Sequence, residues 1–297
     1  MKTAHICLLS LLAASLATAA HADLGVDTAQ AMQAQYNDTR SHCDGAAAFK
    51  CSGIFLRTTK PSDKYHTWDP SPNAVQKGGV SFSYLRADAQ IDRLAEGARS
   101  GFTLAPVDRR PSGTQPYKTL CAYPTDGDSW ERDKNGCGNN AFTPQVKETL
   151  CHRVGINSAQ DWIAHYNNTP KPEYTGWQGN PDYRYATQCA FDVRDEKGAK
   201  AADNFHQALQ VMQLMKDRPF PWNEIMIKTW SKEHSGQLPI QSFFHITGQQ
   251  GLADARSVQQ DWHKSTGKFV PVIEITLPQG NRTAQFIYRA DDQAVKP

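Results

Sequence analysis

The chain reads as an α+β fold, an antiparallel or mixed sheet with flanking helices and long loops. Three observations predict it. Short runs of alternating apolar residues recur from Ile54 to Arg289, amphipathic helical stripes are interspersed with them, and polar stretches rich in Gly, Pro, Asn and Asp join the two. The loops account for a mean hydropathy of -0.61 in a chain whose 39% hydrophobic content, with seven Trp and ten Tyr, is ample for a core.

Taken in order, Ala-rich helix formers around Gln30 to Gln35 predict a helix early in 24–48, followed by a polar stretch leading to Cys43. Ile54, Leu56 and Thr58 alternate with Phe55, Arg57 and Thr59, which predicts a strand. A polar loop carrying Tyr65, His66 and Trp68 runs to Gly78-Gly79, after which Val80 and Phe82 alternate with Ser81 and Ser83 in a second strand. Leu85, Ala89, Leu94 and Ala95 recur near helical spacing until Gly101, predicting a helix directly after that strand.

Residues 117–123 read as a strand and 124–150 as a loop, while Ser158 and Asp161 suggest a capping box opening a short helix through Tyr166. A long loop covers 167–188. Phe205, Ala208, Leu209, Met212 and Met215 then form one stripe of a helix over Asp203 to Lys216, ended by Pro219 and Pro221. Ile225 and Ile227 alternate with Glu224, Met226 and Lys228 on a strand running to Trp230. Leu252 to His263 reads as a helix, and Val272–Leu277 with Thr283–Arg289 as a hairpin around Pro278-Gln279-Gly280-Asn281.

Residues 1–22 have the form of a cleaved export signal: Lys2, an apolar run from Ile6 to Leu16, and Ala20-His21-Ala22 in the small-x-small pattern. The expectation is a secreted or periplasmic protein with one domain over 23–297 and no membrane anchor, since the run is too short to span a bilayer. A formal charge of +2, part of it Lys2, leaves no electrostatic footprint for nucleic acid. A monomer is expected. Past the signal, Cys43, Cys51, Cys121, Cys137, Cys151 and Cys189 make an even set, as three disulfides in an oxidising compartment would. Fifteen pairings are open, with Cys43–Cys51 and Cys137–Cys151 closing short loops. No Cys-x-x-Cys occurs, His66, His165, His206, His234, His245 and His263 are scattered singly, and Asp126 to Asp133 lacks a distal Glu, so no metal site is expected.

Arg57, Ser81/Ser83 and Glu224 each stand on the face opposite their own strand's aliphatic side. Their order resembles the Arg, Ser-x-Ser, Glu arrangement of the cholera-toxin-like ADP-ribosyltransferases, with Phe82 in place of the usual middle Thr. A second resemblance spans roughly Phe49 to Pro278. It is carried by Ile54-Phe55-Leu56-Arg57, Trp68-Asp69-Pro70-Ser71-Pro72-Asn73, Gly78-Gly79-Val80-Ser81-Phe82-Ser83-Tyr84, Trp222-Asn223-Glu224-Ile225 and Phe269-Val270-Pro271-Val272. On these strings the chain is similar to the halovibrins, secreted bacterial proteins with NAD-glycohydrolase or ADP-ribosyl-transferring activity.

The resemblances imply an ADP-ribosyltransferase-like core that takes NAD as substrate, with no prosthetic cofactor. Chemistry makes a single carboxylate sufficient, because nicotinamide leaves a cationic ring as a neutral amine and needs no proton, unlike the leaving groups of ordinary glycosidases. Glu224 would steady the oxocarbenium-like charge, Arg57 would pair with a phosphate, Ser81 or Ser83 would orient either of them, and Tyr65 or Trp68 would stack on nicotinamide. Trp222 stands two residues before Glu224, where arginine-modifying enzymes carry a second Glu, which favours water over a protein arginine as acceptor. Glu274, alternating with Thr276, is the rival carboxylate. Two other classes compete: a non-catalytic module binding a host or glycan surface through its aromatic loops, and an unrelated hydrolase, for which no Gly-x-Ser-x-Gly elbow is present.

Overall fold

The computed structural model describes residues 24–125, 156–168, 190–194, 198–215 and 222–295. Helix α1 (24–37) leads to a tight hairpin of β1 (His42–Cys43) and β2 (Ala46–Ala47), held by a Cys43–Cys51 disulfide. Then come β3 (Ile54–Thr58), α2 (Pro72–Lys77), β4 (Gly79–Leu85), β5 (Ser100–Leu104), β6 (Thr119–Tyr123), α3 (Ala159–Asn168), β7 (Phe191–Asp192) and α4 (Ala199–Leu214). The chain finishes with β8 (Glu224–Lys228), β9 (Ile240–Ile246), α5 (Leu252–Thr266), β10 (Val272–Thr276) and β11 (Gln285–Tyr288). This is an α+β fold with a mixed sheet and flanking helices. No helix among the described residues is long and apolar enough to cross a membrane.

Among the described residues, nine strands form one sheet in the order β11-β10-β9-β5-β3-β4-β8-β6-β7. Every neighbouring pair is antiparallel except β9 and β10, and α5 supplies the crossover that a parallel pair requires. The sheet forks along β4. Its first half, Gly79–Phe82, pairs with β8, whereas Ser83–Leu85 pairs with Ile54–Leu56 of β3.

Strand alternation sorts the apolar residues into two cores. Phe55, Val80, Phe82, Phe102, Ile225 and Phe243 point to the face covered by α4 and α5, where Phe205, Leu209, Val258 and Trp262 meet them. Around Phe55 the rings of Phe82, Tyr84 and Tyr117 lie with centroids 6.3, 5.4 and 5.6 Å away, a cluster whose truncation at Phe55 would cost about 3–5 kcal/mol. On the opposite face Ile54, Leu56, Leu85, Phe244, Ile273 and Ile275 pack beneath Met32 and Tyr36 of α1.

Several expectations need correction. The helix expected over 85–98 is absent: Leu85 ends β4, and Arg86 and Ala89 then pair in a tight turn clamped by two bonds from the Arg86 guanidinium to Asp88. Ile91 and Leu94 are buried because an irregular segment crosses the apolar face under α1, so their near-helical spacing reports burial and not a helix. Gly101, expected to stop that helix, lies inside β5, where a Cβ would collide with the Arg57 carbonyl of β3. Strands β5 and β9 and the short α2 fall where sequence analysis expects other structure or none. In α2, Ser71 accepts from Ala74 N at 3.2 Å, Pro72 opens the first turn and Gly78 closes it at φ 77°. The loop 126–133, Cys137, Cys151 and Cys189 lie outside the described residues.

Candidate functional site

Arg57, Ser81/Ser83 and Glu224 stand on β3, β4 and β8, three consecutive strands of the sheet. Residues far apart in sequence are therefore brought to neighbouring strands. In the β4–β8 register Ser81 faces Met226 and Phe82 faces Ile225, so one further step sets Glu224 beside Ser83 on the same face. Tyr123 of β6 lies opposite Glu224 on its other side. Ser83, Glu224 and Tyr123 thus form a polar row across three strands, all buried, with Glu224 only 3% exposed.

The ladder between β4 and β8 does not end at Phe82 by default, because a side chain extends it. Asn223 accepts from the Tyr84 amide at 2.7 Å and donates to the Tyr84 carbonyl at 2.8 Å, standing in for a backbone partner two positions past the last ladder pair. Asn223 and Tyr84 are both buried. This clamp fixes the start of β8 against β4 and hence Glu224 against Ser83. Sequence reasoning missed it. The available signal was an Asn immediately before an apolar strand, which offers both a donor and an acceptor in one planar group.

Arg57 is placed differently. Leu56 is the direct partner of Ser83, so alternation assigns Leu56 to the Ser83–Glu224 face and Arg57 to the Phe55 face. The premise that each polar residue opposes its strand's aliphatic side holds for each strand alone, but the aliphatic sides of β3 and β4 are opposite faces of the sheet. Arg57 nevertheless lies just past the last β3–β4 pair, at the fork, and its Nη1 donates to the Ser81 carbonyl at 2.8 Å. The half-buried guanidinium therefore sits at the edge shared by both faces.

The two aromatic candidates part company. Trp68 is 2% exposed, donated to at its carbonyl by Trp230 Nε1 and packed edge-on against Trp262 with centroids 5.0 Å apart. His66 stacks on its face at 4.7 Å and 5°, so no surface of Trp68 is left for a nicotinamide ring. Tyr65 is exposed. With Ser62, Lys64, His66 and Lys232 it lines a polar cavity of about 470 Å³ whose far wall is Ser257 and Asp261 of α5. His66 Nδ1 meets Asp261 Oδ2 at 2.6 Å. Because Trp68, Phe243 and Trp262 belong to the Phe55 face, this cavity lies on the side of the sheet away from the Ser83–Glu224 row.

Glu274, the rival carboxylate, is on β10, four strand positions from β4, or about 19 Å at the usual spacing. Its carboxylate is ion-paired with Arg289. Behind the site, burial pushes the Tyr84 phenol up to about 12, its hydroxyl donating to the Ser52 carbonyl at 2.9 Å. Cys121 is disulfide-bonded, so neither it nor the Cys43–Cys51 pair offers a free thiol.

No protein-family model matches the chain, and no curated protein matches it at a significant level.

Proposed function

We propose that this is an exported enzyme that hydrolyses NAD at the nicotinamide–ribose bond, with Glu224 as its working carboxylate. The observation that carries the reading is the adjacency of the Arg57, Ser81/Ser83 and Glu224 strands, with Asn223 holding Glu224 beside Ser83 at the fork of the sheet. The carbon–nitrogen bond breaks heterolytically and its electron pair leaves with nicotinamide, which departs neutral. Positive charge develops on the ribose carbon and ring oxygen, where an ionised Glu224 stabilises it while accepting a hydrogen bond from the 2'-hydroxyl. Water adds to the same carbon and loses a proton, giving ADP-ribose, nicotinamide and H⁺.

Arg57 at the fork is suited to a phosphate of the dinucleotide, and Ser83 to orienting Glu224. Trp222, partly buried against the second core, stands two residues before Glu224 in place of an acid that would activate an arginine acceptor, which favours water. Purified protein incubated with NAD should release nicotinamide, and Glu224→Gln should reduce the rate at least about 100-fold with the fold unchanged by circular dichroism. Equal rates for the two proteins would defeat the assignment. A second reading, a binding module without turnover, draws on the polar cavity under Tyr65. Saturable binding of a glycan or nucleotide, abolished by Lys232→Ala with no nicotinamide release by wild type, would favour it.

A further inference from the structure

We propose that His245, Glu274 and Asp292 form a binding site for one divalent first-row transition ion, which fastens the C-terminal segment to the sheet. The three come from β9, β10 and the turn Ala290–Asp292, and their donor atoms all lie within 4.8 Å of one another. All three are buried, His245 completely. His245 and Glu274 are direct cross-strand partners in the parallel β9–β10 ladder, so their side chains stand on the same face. Asp292 is delivered by a segment docked independently of them. Gln293 accepts from Val272 N at 2.8 Å and donates to its carbonyl at 2.9 Å, and Gln259 accepts from Ala294 N at 2.7 Å.

What distinguishes this cluster from a buried ion pair is the way its outer atoms are held. His245 Nδ1 lies 3.0 Å from the Ile246 carbonyl and must donate its hydrogen there, which orients the ring and turns Nε2 toward Asp292 Oδ2 at 3.0 Å. Nε2 and Oδ2 thus converge on one point, which Glu274 approaches from the neighbouring strand. Arg289 engages Oε2 of Glu274 and so orients the carboxylate. An imidazole tied to a carbonyl by one nitrogen and a carboxylate tied to a cation by one oxygen form the outer shell that orients metal ligands. Donor atoms around a tetrahedral ion are about 3.4 Å apart, so adjustments under about 2 Å would complete the set, with water as a further ligand. One nitrogen and two oxygens suit zinc, manganese or cobalt better than calcium, which takes oxygen ligands. The pattern was invisible in the sequence, where His245 stands alone and its partners lie on later elements.

The competing occupant is a proton on His245, and the experiment separates the two. Protein stripped with a chelator is dialysed against ZnCl₂ or MnCl₂, and bound metal and the thermal midpoint are measured. The expected result is one equivalent bound at micromolar free ion with the midpoint raised by several degrees, and binding lost in His245→Gln and Asp292→Asn, which keep hydrogen-bonding side chains. The zinc form should show one imidazole in its X-ray absorption spectrum, with first-shell nitrogen and oxygen at about 2.0–2.1 Å. No stoichiometric uptake at about 100 μM free ion, uptake unchanged in both variants, or a zinc spectrum lacking imidazole would each overturn the proposal. Should the variants not fold, the wild-type spectrum decides alone. None of these readouts depends on NAD cleavage.

Discussion

Replacing Asn223 by Ala removes both partners of one backbone unit at once. The Tyr84 amide and carbonyl bond to Asn223 at 2.7 and 2.8 Å, and Tyr84 is fully buried, so water reaches neither group without distorting the fork. A buried backbone group left without a partner costs about 1–3 kcal/mol, and partial entry of water into the space vacated by the amide recovers some of it, which leaves a loss of about 2–4 kcal/mol. Urea unfolding followed by far-UV circular dichroism and Trp fluorescence measures it, coincident transitions certifying a two-state comparison. Asn223→Asp is the informative companion. It keeps an acceptor for the amide but sets a charged oxygen against the Tyr84 carbonyl, so it should be no more stable than the Ala variant. In the proposed reaction the Ala variant should lose kcat more than it raises KM, because Glu224 shifts while the outer substrate contacts remain. A stability change below about 0.5 kcal/mol would show that the clamp carries no load and that β8 is set by its own ladder.

Tyr84 gives a pH signature: burial favours its neutral form, raising the phenol to about 12 from an unfolded value near 10. Its stabilising contribution is complete below pH 10 and is lost as the pH rises toward 12, a loss of about 2–3 kcal/mol that should be missing from Tyr84→Phe in alkaline urea titrations. Removing the disulfide with Cys43→Ala and Cys51→Ala should cost about 2.5 kcal/mol, the chain-entropy value for so short a loop; an unchanged urea midpoint would mean the hairpin does not depend on it. Gly101→Ala forces a Cβ against the Arg57 carbonyl and should destabilise by more than about 2 kcal/mol while displacing β3 at the fork, whereas near-wild-type stability would show that β5 yields there freely.

The parts of the fold legible in the sequence are those with a clean period. Ile54–Thr58, Glu224–Lys228 and the β10–β11 hairpin alternate with period two, and the Phe205–Met212 stripe repeats at helical spacing; all four are found close to their expected bounds. Strand β9 was hidden because Phe243 and Phe244 are buried on opposite faces, a doubly covered central strand that shows no alternation. The segment after β4 misled for a related reason: Leu85, Ile91 and Leu94 are buried by an irregular path, and apolar spacing cannot distinguish that from a helix face. At the candidate site, the placement of Arg57, Ser81/Ser83 and Glu224 on strands followed from the alternation around each. The face of Arg57 did not, because a sequence gives each strand's alternation but not the register that says which aliphatic sides coincide.

That register also bears on what Arg57 does. In an unbroken sheet, residues on opposite faces of neighbouring strands are separated by the backbone and cannot serve one ligand. Here the β3–β4 pairing stops at Leu56 and Ser83, so Arg57 lies past the ladder beside the stretch of β4 that pairs with β8, and its guanidinium bonds the Ser81 carbonyl. A lysine would reach the same carbonyl with a single point charge but without the planar fork of donors that allows a guanidinium to hold a carbonyl and a phosphate together. Arg57 is therefore first a staple of the fork. In the reading proposed above, a dinucleotide would enter at that staple, its phosphates meeting Arg57 from one side while the nicotinamide ribose meets Glu224 from the other.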